Sequence, residues 1–279
     1  MKDIPERGAE LAHGLSIAQL LAAVENELIP RLLVSHAAEL DVREEEEKVA
    51  DQAPPSGPWA WHGEIRRFAA WSAEGDQDAL REHVLTLMSD GIGLDALYLH
   101  LFAPAARHLG EQWVRDEISF VDVQLGLTAL HRLVCECGPM GFRRDCGAEQ
   151  RSILLGVAPG EQHTFGVTLA AEFFRRHGWQ VSNLCGLTSD FVLERIASTS
   201  YHAAGFSLHN ENCYAALAET IRAARGRSRN PNLLILVGGD YFARNPAAVS
   251  EVGADLSAGD AHRAVVAAES ALDNTSVPA

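Results

Sequence analysis

The sequence has no apolar run approaching the roughly 18 residues that a membrane-spanning helix needs, and its opening MKDIPERGAELAHG lacks the apolar stretch of a signal peptide. Basic residues are scarce: 23 Lys and Arg stand against 38 Asp and Glu, a formal net charge of -15. A surface of that sign repels a phosphate backbone or an anionic membrane, which argues against non-specific nucleic-acid binding. Cysteine is limited to five residues, an odd number in a long chain, which fits reduced thiols rather than a disulfide framework. Together these absences predict a cytoplasmic protein without a membrane segment. What is present is ordinary for a folded protein: 47% of the residues are hydrophobic and 22% charged, and 279 residues suffice for more than one core.

The first segment, 1–58, contains one clear helical pattern. Ser16 is an expected N-cap, with Gln19 behind it and Ile17, Leu20, Leu21, Val24 and Leu28 on one face until Pro30. An acidic run from Asp41 to Lys48 and the Pro- and Gly-rich stretch DQAPPSGP follow, which predict a solvated linker and a boundary near Pro58. Residues 59–146 show only helical periodicity: Ile65 with Phe68; Leu80, Val84, Leu87 and Met88; Leu94, Leu97, Leu101 and Phe102; Phe120, Val123, Leu127, Leu130 and Val134. Asp76, Gly93 and the pair Ser119 and Asp122 separate or cap these four helices, so a helical bundle is expected. Cys135, Cys137 and Cys146 lack the C-x-x-C spacing of a metal site and read better as free thiols.

Residues 147–279 change texture. ILLGVA, WQVSNLC, AAGFSL and NLLILVGG are short apolar runs, each followed by a potential helix. This alternation predicts a doubly wound, flavodoxin-like parallel sheet with its ligand edge at the strand ends. The fold class is therefore α and α/β. The loop after the first strand, GVAPGEQHTFG, has neither G-x-G-x-x-G nor G-x-x-x-x-G-K-[ST], so neither phosphate cradle is present there. It carries His163 instead, with Glu161 two residues before and Gly166 three after. A neutral imidazole there could ligate a metal while Glu161 orients its other nitrogen, although a single loop histidine is more often a surface residue.

The spacing adds weight. About forty residues separate Gly166 from Ser207 at the end of the third strand, and somewhat under thirty separate His209 from Gly238 and Gly239 at the end of the fourth. This resembles the cobalamin-binding domain family and its pattern D-x-H-x-x-G, S-x-L, G-G. The resemblance implies His163 as lower cobalt ligand, Glu161 as its orienting partner, Gly166 as room beneath the corrin, and Ser207, Gly238 and Gly239 as the slot for the nucleotide tail. Two departures stand out: Glu161 replaces the family's Asp, and His209 stands where Leu is usual. The segment from Ala103 to Leu130 is similar to the end of the four-helix-bundle cap that often precedes this domain. Leu109, Gly110 and Trp113 match its L-G-x-x-W element, which would place Trp113 over the upper axial group, although a Trp without such neighbours is more often plain core.

Light-sensing cobalamin repressors carry Glu-His ten residues after this Trp, where this chain has Val123 and Gln124. An upper ligand could instead come from His83, His100, His108 or His131, and nothing in the sequence selects among them. GADLSAGDAHRAV and ENELIPRLLVSHA are similar to segments of the antirepressors of purple-bacterial photosynthesis genes, the AerR and PpaA group. That resemblance implies a non-enzymatic regulator that binds adenosyl- or hydroxocobalamin and acts on a DNA-binding transcriptional repressor, with no specific DNA binding of its own. It leaves open whether light is sensed. The alternatives are a corrinoid carrier of a methyltransferase system and a sensor holding haem in the same pocket.

Overall fold

The computed structural model describes residues 61–140, 150–186 and 188–275. The expected helix after Ser16, the acidic run, the linker and Cys146 lie outside the described residues. Four helical stretches form the bundle as the periodicity predicts. They are α1 (Trp61–Glu74), α2 (Gln77–Ser89), a long helix made of α3 (Leu94–Leu97), a π-helical turn (Tyr98–Phe102) and α4 (Ala103–Val114), and α5 (Phe120–Cys137). Most of their expected stripes are inside, with Phe68, Leu80, Val84, Leu97, Leu101, Phe102, Leu130 and Val134 buried, whereas Phe120 at the start of α5 is exposed. Asp76 caps α2 by accepting the Ala79 amide, and Ser119 and Asp122 form a reciprocal capping box at the start of α5.

The π turn is not visible in the periodicity. It stands just before Pro104, which has no N–H to offer the His100 carbonyl, and the chain widens there so that the Ala103 amide reaches back to the Tyr98 carbonyl.

The α/β region contributes β1 (Ser152–Val157), α6 (Phe165–Arg176), β2 (Gln180–Asn183), α7 (Ser189–Ser198), β3 (Ala203–Ser207), α8 (Tyr214–Arg227), β4 (Leu234–Gly238), α9 (Asp240–Arg244), α10 (Ala248–Glu251), β5 (Leu256–Ser257) and α11 (Ala261–Thr275). The sheet order is β2-β1-β3-β4-β5 and every pairing is parallel, the doubly wound arrangement expected. The strand order reverses at β1, so the loops leaving β1 and β3 diverge and open a crevice at the sheet's carboxyl edge. β5, only two residues long, is too short to register as an apolar run.

Strand alternation sorts side chains into two cores. Ile153, Leu155 and Leu236 join the bundle, α6 and α11 in one, while Leu154, Ala204, Ile235 and Val237 pack with α7 and α8 in the other. The bundle is thus continuous with one face of the sheet. Tyr98 meets Phe173 edge-on at 6.0 Å between ring centres, and Arg176 Nε donates to Asp95 at 2.9 Å. Among the described residues no helix is long and apolar enough to cross a membrane.

Candidate functional site

The loop between β1 and α6 holds the centre of the site. Glu161 points inward, its side chain 1% exposed, while the His163 ring is 42% exposed. Glu161 Oε1 receives the backbone amides of Gln162 at 2.8 Å and His163 at 3.1 Å, and lies 2.6 Å from His163 Nδ1. Its other oxygen receives the amides of His209 and Asn210, each at 2.8 Å, from the loop after β3. Burial alone would raise the Glu161 pKa, but the hydrogen bonds from the His163 ring and the Asn210 amide, with the electrostatic attraction of His163, hold it well below the usual carboxylate range. The carboxylate therefore stays ionised and fixes the imidazole through Nδ1. Nε2 is then the nitrogen a metal would use. His209 stacks on the His163 ring at 4.3 Å between centres, tilted by 39°.

Gly166 is exposed in the first turn of α6, and a Cβ built on it would meet nothing within 4 Å. Glycine inside a helix costs about 1 kcal/mol relative to alanine. Among the described residues no neighbour requires it here, and the space at this position is open. Gly239 differs: its φ is 95°, and a Cβ would lie 2.3 Å from the Leu208 carbonyl oxygen and 2.8 Å from Ser207 Oγ. Only glycine fits where the chain leaving β4 lies against the chain leaving β3. Gly238 is less tightly held, with its nearest contact the Ala258 carbonyl at 3.5 Å. Ser207, Gly238 and Gly239 thus stand together at the adjoining ends of β3 and β4, the first and second being paired in register.

Trp113, near the end of α4, is half-buried and outside the main core; its ring meets Phe120 at 5.8 Å. Phe120, Val121 and Leu125 are exposed at 41%, 63% and 51%, which leaves apolar surface at this end of α5. Val123 is buried in the bundle and Gln124 is exposed. Of the bundle histidines, His83 stands between the Phe68 and Trp71 rings with Nε2 2.9 Å from Glu64, and burial lowers its pKa despite that carboxylate. His100 neighbours Trp61 and His108 neighbours Glu111. His131 instead reaches the His163 loop: its ring packs edge-on against Phe165, and Nε2 lies 3.5 Å from Thr164 Oγ1. Among the described residues no group of three or more His, Cys, Asp or Glu side chains could hold a metal ion by itself, and Cys135 is exposed while Cys137 is buried.

Residues 151–269 match the family model described as the B12 binding domain. The matched segment runs from the residue before β1 into α11, so the similarity to that family is carried by the α/β region. The chain is also 28% identical over 174 residues, 61% of this chain and 88% of the other, to the "Uncharacterized 20.5 kDa protein in bchF-crtJ intergenic region" of Rhodobacter capsulatus. Among solved structures, the monomethylamine corrinoid protein of Methanosarcina barkeri superposes with a TM-score of 0.61 at 17% identity, over 73% of this chain and 96% of that one. That likeness extends the shared fold across the bundle as well as the α/β region.

The residues present fit a corrinoid. An exposed imidazole is oriented by a buried carboxylate, with open space at the glycine beside it. The donor set alone, one imidazole nitrogen, serves cobalt and haem iron equally. Two features of the site escaped sequence reasoning: the four amides converging on Glu161 and the contact of His131 with Thr164. The first is made by backbone atoms, which every residue carries. The second joins positions on different elements that only folding brings together.

Proposed function

We propose that this protein is a cobalamin-binding regulator of transcription, with His163 supplying the lower axial nitrogen and a DNA-binding repressor as its partner. The observation that carries the cofactor assignment is the Glu161–His163 pair at the mouth of the crevice, beside the open space at Gly166. Bound cobalamin would supply a cobalt centre whose upper ligand can be exchanged, and adenosyl- and hydroxocobalamin are the forms proposed. Ser207, Gly238 and Gly239 would admit the nucleotide tail.

The regulatory half of the proposal rests on the charge of -15, which disfavours direct DNA contact, and on similarity to a protein named for its place between bchF and crtJ, which suits an antirepressor of photosynthesis genes of the AerR and PpaA kind. The role is proposed as non-enzymatic and cytoplasmic, with light as a candidate signal. A corrinoid carrier is the second reading, favoured by the fold shared with the monomethylamine corrinoid protein. Haem would declare itself by its absorption spectrum in protein purified from a cobalamin-supplied host.

A pull-down compares ligand-free and hydroxocobalamin-loaded protein, alongside a DNA-binding assay on each. Recovery of a DNA-binding protein should differ between the two states, and neither state alone should bind DNA sequence-specifically. Equal recovery in both states, or specific DNA binding by the isolated protein, contradicts the regulatory reading. Methyl transfer to or from the bound corrinoid by a methyltransferase would favour the carrier.

Trp113 is proposed to face the upper axial group. Because it lies outside the main core, Trp113→Ala should cost less than about 1.5 kcal/mol of stability while changing the preference between adenosyl- and hydroxocobalamin. A large stability loss with equal weakening of both cobalamins would make it a packing residue instead.

A further inference from the structure

The His163 loop is held from two sides. On the sheet side Glu161 ties it to the loop after β3. On the bundle side the next residue, Thr164, meets His131 of α5. Thr164 is the N-cap residue of α6, yet its hydroxyl caps none of that helix's amides. It turns to His131 instead, although capping is the usual use of a threonine in this position.

The geometry also determines the imidazole's protonation pattern. His131 Nδ1 is 2.7 Å from the Leu127 carbonyl oxygen. A carbonyl can only accept, so Nδ1 carries a proton, and in the neutral ring Nε2 is left to accept the Thr164 hydroxyl. One imidazole therefore joins the residue beside the proposed cobalt ligand to the backbone of α5 one turn earlier. From there α5 continues toward Phe120 and its contact with Trp113, about 16 Å from His131 at 1.5 Å per residue. His83, His100 and His108 make their described ring and ion-pair contacts within the bundle.

We infer that His131 is a positioning residue that couples the axial state of His163 to helix α5 through Thr164. The inference rests on the proposed ligation by His163 and deepens it by naming the route through which ligand binding reaches the bundle. A ligand can shift α5 only through contacts that differ between the ligated and unligated loop, and the Thr164–His131 hydrogen bond is the contact this inference assigns to that role.

The test titrates the full-length protein with hydroxocobalamin, recording the absorption spectrum and amide hydrogen exchange in α5. In the wild type, binding should change exchange of the α5 amides by about tenfold, on the scale usual for coupled sites. Thr164→Val keeps the shape but removes the hydroxyl; it should retain the histidine-ligated spectrum and lose the α5 response. Thr164→Ser should restore the response, and His131→Phe, which preserves ring packing on Phe165, should behave like Thr164→Val. An α5 response in Thr164→Val equal to that of the wild type overturns the inference, as does failure of Thr164→Ser to rescue, or a wild-type protein that ligates through His163 without any α5 change. If the wild type does not bind hydroxocobalamin, or binds it without His163, the reading of the site itself fails, and this inference with it.

Discussion

His163→Ala should weaken hydroxocobalamin binding by about 100-fold or more and remove the spectral signature of axial nitrogen. Losing a partner that merely orients a ligand typically costs 10–100-fold, and losing the ligand should cost at least as much. The variant should fold normally, because the ring is 42% exposed and its removal opens no core cavity. Equilibrium titration with absorption detection, alongside thermal unfolding, measures both quantities. One complication is built into the site: His209 lies 4.3 Å away, ring centre to ring centre. If His163→Ala keeps a nitrogen-ligated spectrum and the double variant with His209→Ala loses it, His209 has stepped in as ligand. Unchanged affinity and spectrum in both variants would remove His163 from the metal altogether.

Glu161→Ala should act on the protein before any ligand is added. The substitution withdraws the acceptor for four backbone amides and for His163 Nδ1, and the amides of His209 and Asn210 belong to a different loop. Leaving such donors unpaired should cost about 3 kcal/mol in total, since each buried unsatisfied group costs about 1–3 kcal/mol and water will reach some of them. The melting temperature should fall by roughly 6–12 °C.

The pH dependence follows from the direction of the Glu161 shift. Its folded pKa lies below the ordinary glutamate value of 4.5, so the unfolded state takes up the proton first. The stabilisation is fully present above the unfolded value and is lost as the pH falls toward the folded one. Between pH 6 and pH 3 the wild type should therefore lose more stability than Glu161→Gln, which cannot ionise. Parallel pH profiles for the two proteins would show that the carboxylate's charge contributes nothing to the clamp.

How much of this was legible beforehand differs by element. The four bundle helices could be read from their stripes, because a helix that buries one face must repeat its apolar residues every three or four positions. Ser119 and Asp122 announced the start of α5 for a similarly local reason: a capping box is closed within four residues. The parallel sheet followed from short apolar runs alternating with helices, and its strand ends pointed to His163, Gly166, Ser207 and the glycine pair. The π turn before Pro104 and the two-residue β5 were not legible, since a one-residue change of helical register and a two-residue strand leave almost no periodic signal.

The substitution of Glu161 for the family's Asp raised a question that sequence could not answer. A longer side chain changes where the carboxylate can hold the imidazole. In the fold Glu161 meets the loop after β3 while also holding His163 Nδ1. The sequence by itself determined the bundle, the alternating β/α order and the candidate residues at the strand ends, because each depends on side-chain type at short spacing. Only the tertiary structure decided that Glu161 bridges two loops, that Gly239 is obligatory beneath Leu208, and that His131, rather than the other bundle histidines, meets the His163 loop. Those outcomes depend on backbone amides, carbonyls and distances between segments remote in sequence, and residue type along the chain does not encode them one by one.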